Sequence, residues 1–306
     1  MKKTIILCWV ICCSTIVAKA CDICGCGVGS GYIGILPDFN KKIFGLRYRT
    51  NSLKTHVGIG GSSSYLTTTE HYQVSELWGA INITRKIRLM ATIPYNFNEK
   101  ENSSGIHNIN GLGDISLAGF YNLMNTRTAA GDDRLIVQSL WLGAGVKLPS
   151  GKYAPANKLN SNDANIFQLG TGSFDFNVLT MYDLRLQDMG INLTGSYKMN
   201  TVNKDDYAYG NKLSVNAQFY HKFKLGNYCS VAPNAGATFE KSKKDREDNF
   251  TMDVSGGNIT MATIGSEISY KKIVAGFNWQ TPLGQNLANG LVKANNKAML
   301  HIAFAL

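Results

Sequence analysis

Beyond its first twenty residues, the 306-residue chain lacks the long apolar runs from which transmembrane helices are built. No later segment reaches the roughly 18 consecutive apolar residues that a helix needs to cross a bilayer. Proline is rare, with 6 residues, and charged residues make up only 17% of the chain, whereas glycine reaches 31 residues. This composition is typical of a membrane β-barrel rather than of a helical membrane protein, and a soluble all-β sandwich is the alternative.

The basic excess also lacks the clustering that nucleic-acid binding requires. The formal net charge is +10, but three of the lysines (Lys2, Lys3 and Lys19) lie in the N-terminal segment. No group of Lys and Arg interleaved with aromatic residues occurs in the sequence. We therefore interpret the excess as charges on solvated loops and inside a barrel, and we expect no nucleic-acid partner.

The first twenty residues have the pattern of a secretory signal peptide. Lys2 and Lys3 precede an apolar run from Ile5 to Val17, and Ala18-Lys19-Ala20 forms a small-x-small cleavage site. The mature chain would then begin at Cys21. Lipidation of this cysteine is an alternative, although the two residues at 18 and 19 depart from the usual lipoprotein pattern.

Strict alternation of apolar and polar residues is the main structural signal, and it is clearest over Met189–Met199. Ile191 and Leu193 share one face, whereas Asn192 and Thr194 share the other, as in a strand between an apolar medium and water. Twelve such runs are predicted: Ile43–Thr50, Val74–Thr84, Ile87–Phe97, Asp114–Leu123, Leu135–Leu148, Phe174–Leu186, Met189–Met199, Leu213–Phe223, Cys229–Glu240, Ile259–Tyr270, Ile273–Gln280 and Lys297–Leu306.

The connections between these runs alternate between long and short. Ser52–Gln73 and Asn98–Gly113 are long, whereas Thr84–Lys86 and Lys271-Lys272 are short. Outer-membrane barrels show this asymmetry, with short periplasmic turns and longer extracellular loops. An unpaired strand edge costs several kcal/mol per group in hydrocarbon, so the sheet must close on itself.

The sequence therefore predicts an all-β protein, an antiparallel transmembrane β-barrel of about 12 strands in the outer membrane of a Gram-negative bacterium. The predicted domains are a signal peptide at 1–20, a Cys- and Gly-rich periplasmic segment at 21–42, and the barrel at 43–306. Outer-membrane lipid is the expected surrounding. A barrel of this size lies between filled eight-stranded barrels and sixteen-stranded porins, so we expect a narrow or partly plugged pore.

Three short Gly-rich motifs resemble a known family. They are Asn110-Gly111-Leu112-Gly113-Asp114-Ile115, the run from Leu142 to Lys152, and Gln168-Leu169-Gly170-Thr171-Gly172-Ser173 followed by Asp175. In this order they resemble the Gram-negative outer-membrane transporters of the "MetA-pathway of phenol degradation" family. The resemblance implies an outer-membrane barrel with a transport role and no catalytic residues, and the Cys-rich N-terminus is similar to a variant seen in Bacteroidetes.

Charged and polar side chains on the inward faces are the candidate pore lining. The set comprises Arg47, Arg49, Asp114, Lys147, Asp175, Arg185, Asn192, Lys198, Gln218 and Lys222. Rings of charge set ion selectivity in pores, and the basic excess suggests a mild preference for anions. The alternative is that these charges pair across the interior and plug it.

The sharpest local motif lies outside the barrel, at Cys21-Asp22-Ile23-Cys24-Gly25-Cys26. Thiolates favour Cu(I) and Zn(II), so Cys21, Cys24 and Cys26 are candidate metal ligands for copper or zinc. The alternatives are a disulfide in an oxidising compartment, with Cys21 and Cys24 as the favoured pair, and lipidation of Cys21.

The leading functional hypothesis is a passive, porin-like channel or transporter for a small solute or ion. The alternatives are a metal-handling outer-membrane protein that uses the cysteines and a structural barrel with a plugged interior. The five histidines do not cluster, and no Ser/His/Asp arrangement is visible, so we expect no enzymatic activity.

Overall fold

The computed structural model describes residues 42–58, 62–64, 66–129, 135–154 and 167–306. The predicted signal peptide and the three cysteines of the N-terminal motif lie outside these residues. The strands are β1(Ile43–Thr55), β2(Thr68–Asn82), β3(Ile87–Asn102), β4(Gly105–Leu112), β5(Ser116–Ala129), β6(Leu135–Lys147), β7(Asp175–Leu186), β8(Met189–Met199), β9(Tyr207–Ala208), β10(Lys212–His221), β11(Phe223–Leu225), β12(Cys229–Ser242), β13(Arg246–Glu247), β14(Phe250–Thr251), β15(Gly257–Tyr270), β16(Ile273–Leu287) and β17(Lys293–Ala305). Over the same described ranges, no helix is long and apolar enough to cross a membrane.

Twelve of these strands form one closed antiparallel ring, in the order β1, β2, β3, β5, β6, β7, β8, β10, β12, β15, β16 and β17. The ring closes because the last strand returns to the first, with Ile43 opposite Ala305 and Arg47 opposite His301. The predicted all-β barrel is therefore confirmed, and each of the twelve alternating runs contributes one strand. All pairs are antiparallel, as expected for strands joined consecutively by hairpins.

The barrel is apolar outside and polar inside, which is the reverse of a soluble protein. On β8, Leu193 is 39% exposed, whereas its neighbour Asn192 is 2% exposed. Leu46 on β1 and Phe219 on β10 also point outward and are exposed, whereas Arg47 and Gln218 beside them are buried. An exposed apolar band around a closed sheet matches a lipid environment, because hydrocarbon solvates these side chains better than water does.

The predicted loop at Asn98–Gly113 is mostly a hairpin. β3 continues to Asn102, and β4 pairs with its upper half, from Tyr95 opposite Leu112 to Asn102 opposite Gly105. Both faces of this hairpin are rich in polar residues because it rises beyond the apolar band, so the alternation that reveals a membrane strand is absent. Gly105, with a φ of 125°, supplies the turn conformation that other residues avoid.

A small three-stranded sheet, formed by β9, β13 and β14, lies in the loops at one end of the barrel. These pieces come from two stretches, 200–211 and 241–258, that the sequence predicts as long polar loops. The two-residue turns Gln187-Asp188 and Lys271-Lys272 lie at the opposite end, where β1 begins and β17 ends. By the rule for outer-membrane barrels, the short turns are periplasmic and the small sheet is extracellular.

A charged residue on the lipid-facing surface should destabilise the barrel according to its depth. We expect Leu193→Arg, near the middle of β8, to lower the free energy of unfolding by about 2–4 kcal/mol, and Met199→Arg, at the extracellular end of the same strand, by only about 0–1 kcal/mol. Guanidinium titration of the protein folded into phospholipid vesicles measures both values. Equal losses for the two variants would contradict the proposed membrane position.

Candidate functional site: the barrel interior

Most of the predicted pore-lining residues lie on the inward faces of the strands. These are Arg47, Arg49, Lys147, Asp175, Arg185, Asn192, Lys198 and Gln218. Asp114 lies between β4 and β5 at the extracellular mouth, where it pairs with Lys147. Lys222 is half-buried between β10 and β11 near the periplasmic end, and its backbone N–H donates to the carbonyl oxygen of Asp188.

The charges on β1 and β2 partly compensate one another, with two arginines to one glutamate. Glu76 on β2 forms ion pairs with both Arg47 and Arg49 of β1. Arg47 Nε lies 3.5 Å from Glu76 Oε2, and Arg49 Nη2 donates a hydrogen bond to Glu76 Oε1. The Arg47 guanidinium also lies over the Trp78 ring, 5.6 Å from its centroid. This arrangement holds the two arginines against the wall rather than in the centre of the lumen.

A second charged cluster, which we name the mouth cluster, consists of Asp114, Lys147, Asp175 and Lys198. Lys147 Nζ pairs with Asp114 and lies 2.8 Å from Asp175 Oδ2, and Lys198 Nζ lies 3.3 Å from the same Asp175 oxygen. Asp175 is completely buried. Two carboxylates alternating with two ammonium groups leave no uncompensated charge, which a buried cluster of this kind requires.

The mouth cluster also anchors the long loop between β6 and β7. Asp114 accepts hydrogen bonds from the backbone N–H groups of Gly151, at 3.0 Å, and Thr171, at 2.9 Å. Ser173 Oγ donates to Asp175 Oδ1 at 2.8 Å. The two loop ends touch at Gly151 and Gly170, where a Cβ on Gly170 would lie 2.3 Å from Asp114 Oδ1. The three Gly-rich motifs of the sequence therefore meet at one point.

The third cluster spans part of the lumen. Glu240 on β12 lies 2.9 Å from Lys212 Nζ on the neighbouring β10 and 3.5 Å from Lys297 Nζ on β17. β15 and β16 separate β12 from β17 in the ring, so the Lys297 contact crosses the interior. Gln280 Nε2 makes a similar crossing, from β16 to Thr238 Oγ1 on β12, at 3.2 Å. Both contacts narrow the interior.

A group of apolar side chains fills another part of the interior. Trp78, Phe120, Trp141 and Met181 are all buried, and they belong to one packed cluster that includes Ile43 and Ala303. These four side chains come from β2, β5, β6 and β7, on one side of the ring. A small cavity borders this cluster, with Phe120 and Met181 on one side and the polar residues Thr194, Ser214 and Asn216 on the other.

Three buried amide side chains on the β10–β16 side of the ring have no hydrogen-bond partner in the described part of the chain. Gln218, Asn234 and Asn278 are 1–4% exposed, and neither polar atom of any of the three amides has a hydrogen bond among the described residues. Asn234 and Asn278 lie in one cross-strand row, separated by Gly265. Leaving a buried polar group unpaired costs about 1–3 kcal/mol, so each of these amides is a position where water or a polar solute would be stabilised.

Several of these residues were absent from the predicted pore lining. Glu240, Asn234 and Asn278 follow the alternation of their strands, so the same pattern that indicated the other inward residues would have found them. Glu70, which is buried near the extracellular end of β2, lies before the predicted start of that strand at Val74. The crossing between Lys297 and Glu240 has no signal in the sequence.

No group of three or more His, Cys, Asp and Glu side chains suited to a metal ion occurs among the described residues. Cys21, Cys24 and Cys26 lie outside them, so a copper or zinc site at these cysteines stays a prediction. His301, on the same inward face as Met299, has its Nε2 at 3.8 Å from Glu267 Oε1.

The small extracellular sheet is organised around one buried carboxyl group. Asp245 accepts hydrogen bonds from the Tyr207 hydroxyl at 2.7 Å and from the Gly210 backbone N–H at 2.6 Å. Its own N–H donates to Ser255 Oγ at 2.8 Å. Burial raises the pKa of the Asp245 carboxyl to about 6, although both hydrogen bonds act in the opposite direction.

The closed ring, the lipid-facing apolar band and the polar interior define an outer-membrane β-barrel of a Gram-negative bacterium. A family model described as "Putative MetA-pathway of phenol degradation" matches residues 50–272, and the chain belongs to this family. No curated protein matches the chain.

One solved structure shares the fold at low sequence identity, and a second is more distantly similar. An outer membrane channel from Pseudomonas putida F1 is 15% identical, with a TM-score of 0.60, over 92% of this chain and 100% of that one. The β domain of the Bordetella autotransporter BrkA is 9% identical, with a TM-score of 0.44, over 86% of this chain and 99% of that one.

Removal of Lys147 should release the loop between β6 and β7. Lys147→Met leaves Asp114 and Asp175 facing each other with only Lys198 in compensation, so we expect the free energy of unfolding to fall by about 3–5 kcal/mol. Lys152→Met, at an exposed position of the same motif, should change it by less than about 0.5 kcal/mol. Urea titration in vesicles measures both variants, and an equal effect of the two would contradict an anchoring role for Lys147.

The small extracellular sheet should be more stable at acid pH. Because the folded-state pKa of Asp245 lies above the ordinary value of 3.8, its stabilising contribution is complete below about pH 4 and is lost as the pH rises through about 6. Hydrogen exchange of residues 207–210, corrected for the intrinsic rate, should show protection that falls between these values. Asp245→Asn should abolish this pH dependence, and a decrease that persists in the variant would assign it to another group.

Proposed function

We propose that the protein is a passive outer-membrane channel for small uncharged solutes. The observation that carries this proposal is the set of unpaired interior amides at Gln218, Asn234 and Asn278. A barrel that served only as a rigid support would gain stability from apolar residues at these inward positions. Water or a polar solute could instead form the hydrogen bonds that these amides lack. The amides therefore fit an interior that becomes hydrated as its side chains move.

The charged clusters support an uncharged solute. The mouth cluster is balanced by its own alternating charges, whereas Glu76 is shared by two arginines and Glu240 by two lysines, so each of those two clusters keeps one net positive charge. Ion selectivity arises from rings of charge that attract a counter-ion, and paired charges provide little such attraction. The pairing limits this attraction, and with two residual positive charges we expect at most a mild preference for anions.

The apolar cluster supports a solute with a hydrocarbon or aromatic part. Trp78, Phe120 and Trp141 offer ring faces, and a cavity the size of about one water molecule beside Phe120 is bordered by hydroxyl and amide groups. The family description refers to phenol degradation, and a phenol is a small solute with one aromatic and one polar part. A similar fold in a protein described as an outer membrane channel adds support for the channel role.

In this proposal the remaining parts of the chain keep their predicted roles. Residues 1–20 direct export, residues 21–42 form a periplasmic segment, and the ten residues predicted to line the pore do so. Lys147, Asp175 and Lys198 hold the mouth in place. The protein has no enzymatic activity.

Conductance in a planar lipid bilayer tests the proposal. We expect small single-channel currents and a reversal potential near zero in a KCl gradient. Trp141→Ala removes a large side chain from the apolar cluster and should raise the conductance, whereas Leu142→Ala, on the lipid-facing side of the same strand, should leave it unchanged. An absence of current in all three proteins would favour a structural barrel, and a strong anion preference would show that the interior charges act unpaired.

A further inference from the structure

One row of inward-facing residues crosses the part of the wall that carries two of the unpaired amides. In the order of the paired strands from β10 to β17, the row reads Tyr220, Asn234, Gly265, Asn278 and Met299. Tyr220 and Met299 are the two ends of this row. The strands β12, β15 and β16 lie between them, so along the wall the two ends are about 19 Å apart.

The two ends of this row nevertheless touch each other. The Tyr220 side chain is 3% exposed and packs against Met299. A distance of about 19 Å along the wall is too long for these two side chains, so their contact crosses the interior. We name it the Tyr220–Met299 bridge. It separates the stretch of wall that carries Asn234 and Asn278 from the rest of the lumen.

A hydrogen bond holds Tyr220 in this position. Its ring lies on Gly190 of the adjacent β8, where a Cβ atom would be 2.3 Å from Tyr220 Cζ. Its hydroxyl reaches the next strand, β7, and donates to Asp183 Oδ1 at 3.2 Å. An aromatic ring packed over a glycine of a neighbouring strand is a stabilising arrangement in β-sheets. The glycine and the carboxyl group together fix one position of the Tyr220 ring.

The opposite side of the interior is filled by the apolar cluster. Trp78, Trp141 and Met181 belong to β2, β6 and β7, which face β12, β15 and β16 across the ring. A solute that follows the unpaired amides therefore meets the Tyr220–Met299 bridge. Rotation of the Tyr220 side chain to another staggered position opens the bridge, and it breaks no hydrogen bond between strands.

We propose that Tyr220 is the gate residue of the channel and that Asp183 holds this gate closed. The inference rests on the proposed function, because a gate has a role only where a solute passes. Solute moves along Asn234 and Asn278 when the Tyr220 ring leaves Met299. Asp183 is a positioning residue, which acts through its hydrogen bond to the Tyr220 hydroxyl.

Tyr220→Phe separates the hydrogen bond from the size of the side chain. The variant keeps the ring and loses only the hydroxyl, so the ring should leave Met299 more often. In planar lipid bilayers we expect openings roughly two- to tenfold more frequent than in the unmodified protein, with the same open-state conductance, since one hydrogen bond shifts an equilibrium by about this factor. Tyr220→Ala removes the ring as well and should give a larger conductance without closures.

Tyr182→Phe is the matched control, because it makes the same chemical change on the lipid-facing side. Tyr182 lies next to Asp183 on β7 and pairs with the outward-facing Leu193. We expect this variant to open as often as the unmodified protein. Heat-dependent migration in SDS gels shows that each variant is folded before its currents are compared.

The role of Asp183 can be measured without any current. Guanidinium titration in phospholipid vesicles compares Tyr220→Phe, Asp183→Ala and the double variant. If the hydroxyl and the carboxyl group are bonded, their effects are not additive, and we expect a coupling of roughly two- to tenfold in the unfolding equilibrium constant. Additive effects would overturn the role assigned to Asp183.

The currents distinguish failure of the gate from failure of the channel. An opening frequency in Tyr220→Phe equal to that of the unmodified protein would overturn the gate alone if Trp141→Ala conducts. Silence of Tyr220→Ala beside a conducting Trp141→Ala would do the same. Silence of every protein, both of these variants included, would refute the channel and the gate together.

Discussion

Closure of the sheet by backbone hydrogen bonds is the constraint on which the rest of this structure depends. In hydrocarbon no water is present to pair with an exposed strand edge, so the return of β17 to β1 satisfies groups that would otherwise each cost several kcal/mol. Closure creates an inside and an outside. Every strand then presents one face to lipid and one to the interior, and this is why Leu193 is exposed while Asn192 is buried.

The family motifs acquire a physical meaning at the mouth cluster. Asp114, Gly151 and Thr171 come from three separate motifs, yet the backbone N–H groups of the last two bind one carboxylate. Lys147 joins this carboxylate to Asp175 at the start of the next strand. Glycine is needed at positions 151 and 170 because the two ends of the loop come into backbone contact there, which leaves no room for a Cβ atom. The motifs thus anchor a loop at the barrel entrance.

The polar groups inside the barrel point to what fills it. Asn234 and Asn278 have no hydrogen bond among the described residues, and they suit water or a polar solute. These two amides support a channel.

The sequence by itself determined the strand number, the faces and the closed barrel, because alternation with period two reports directly on a wall between lipid and water. It did not reveal the hairpin at Asn98–Asn102 and Gly105–Leu112, since both faces of that hairpin carry many polar residues and the alternation disappears. Only the tertiary structure decided which charges compensate one another. Glu240 meets Lys297 across the interior because ring closure brings β12 and β17 within reach, and this proximity depends on the curvature of the whole sheet rather than on any local pattern.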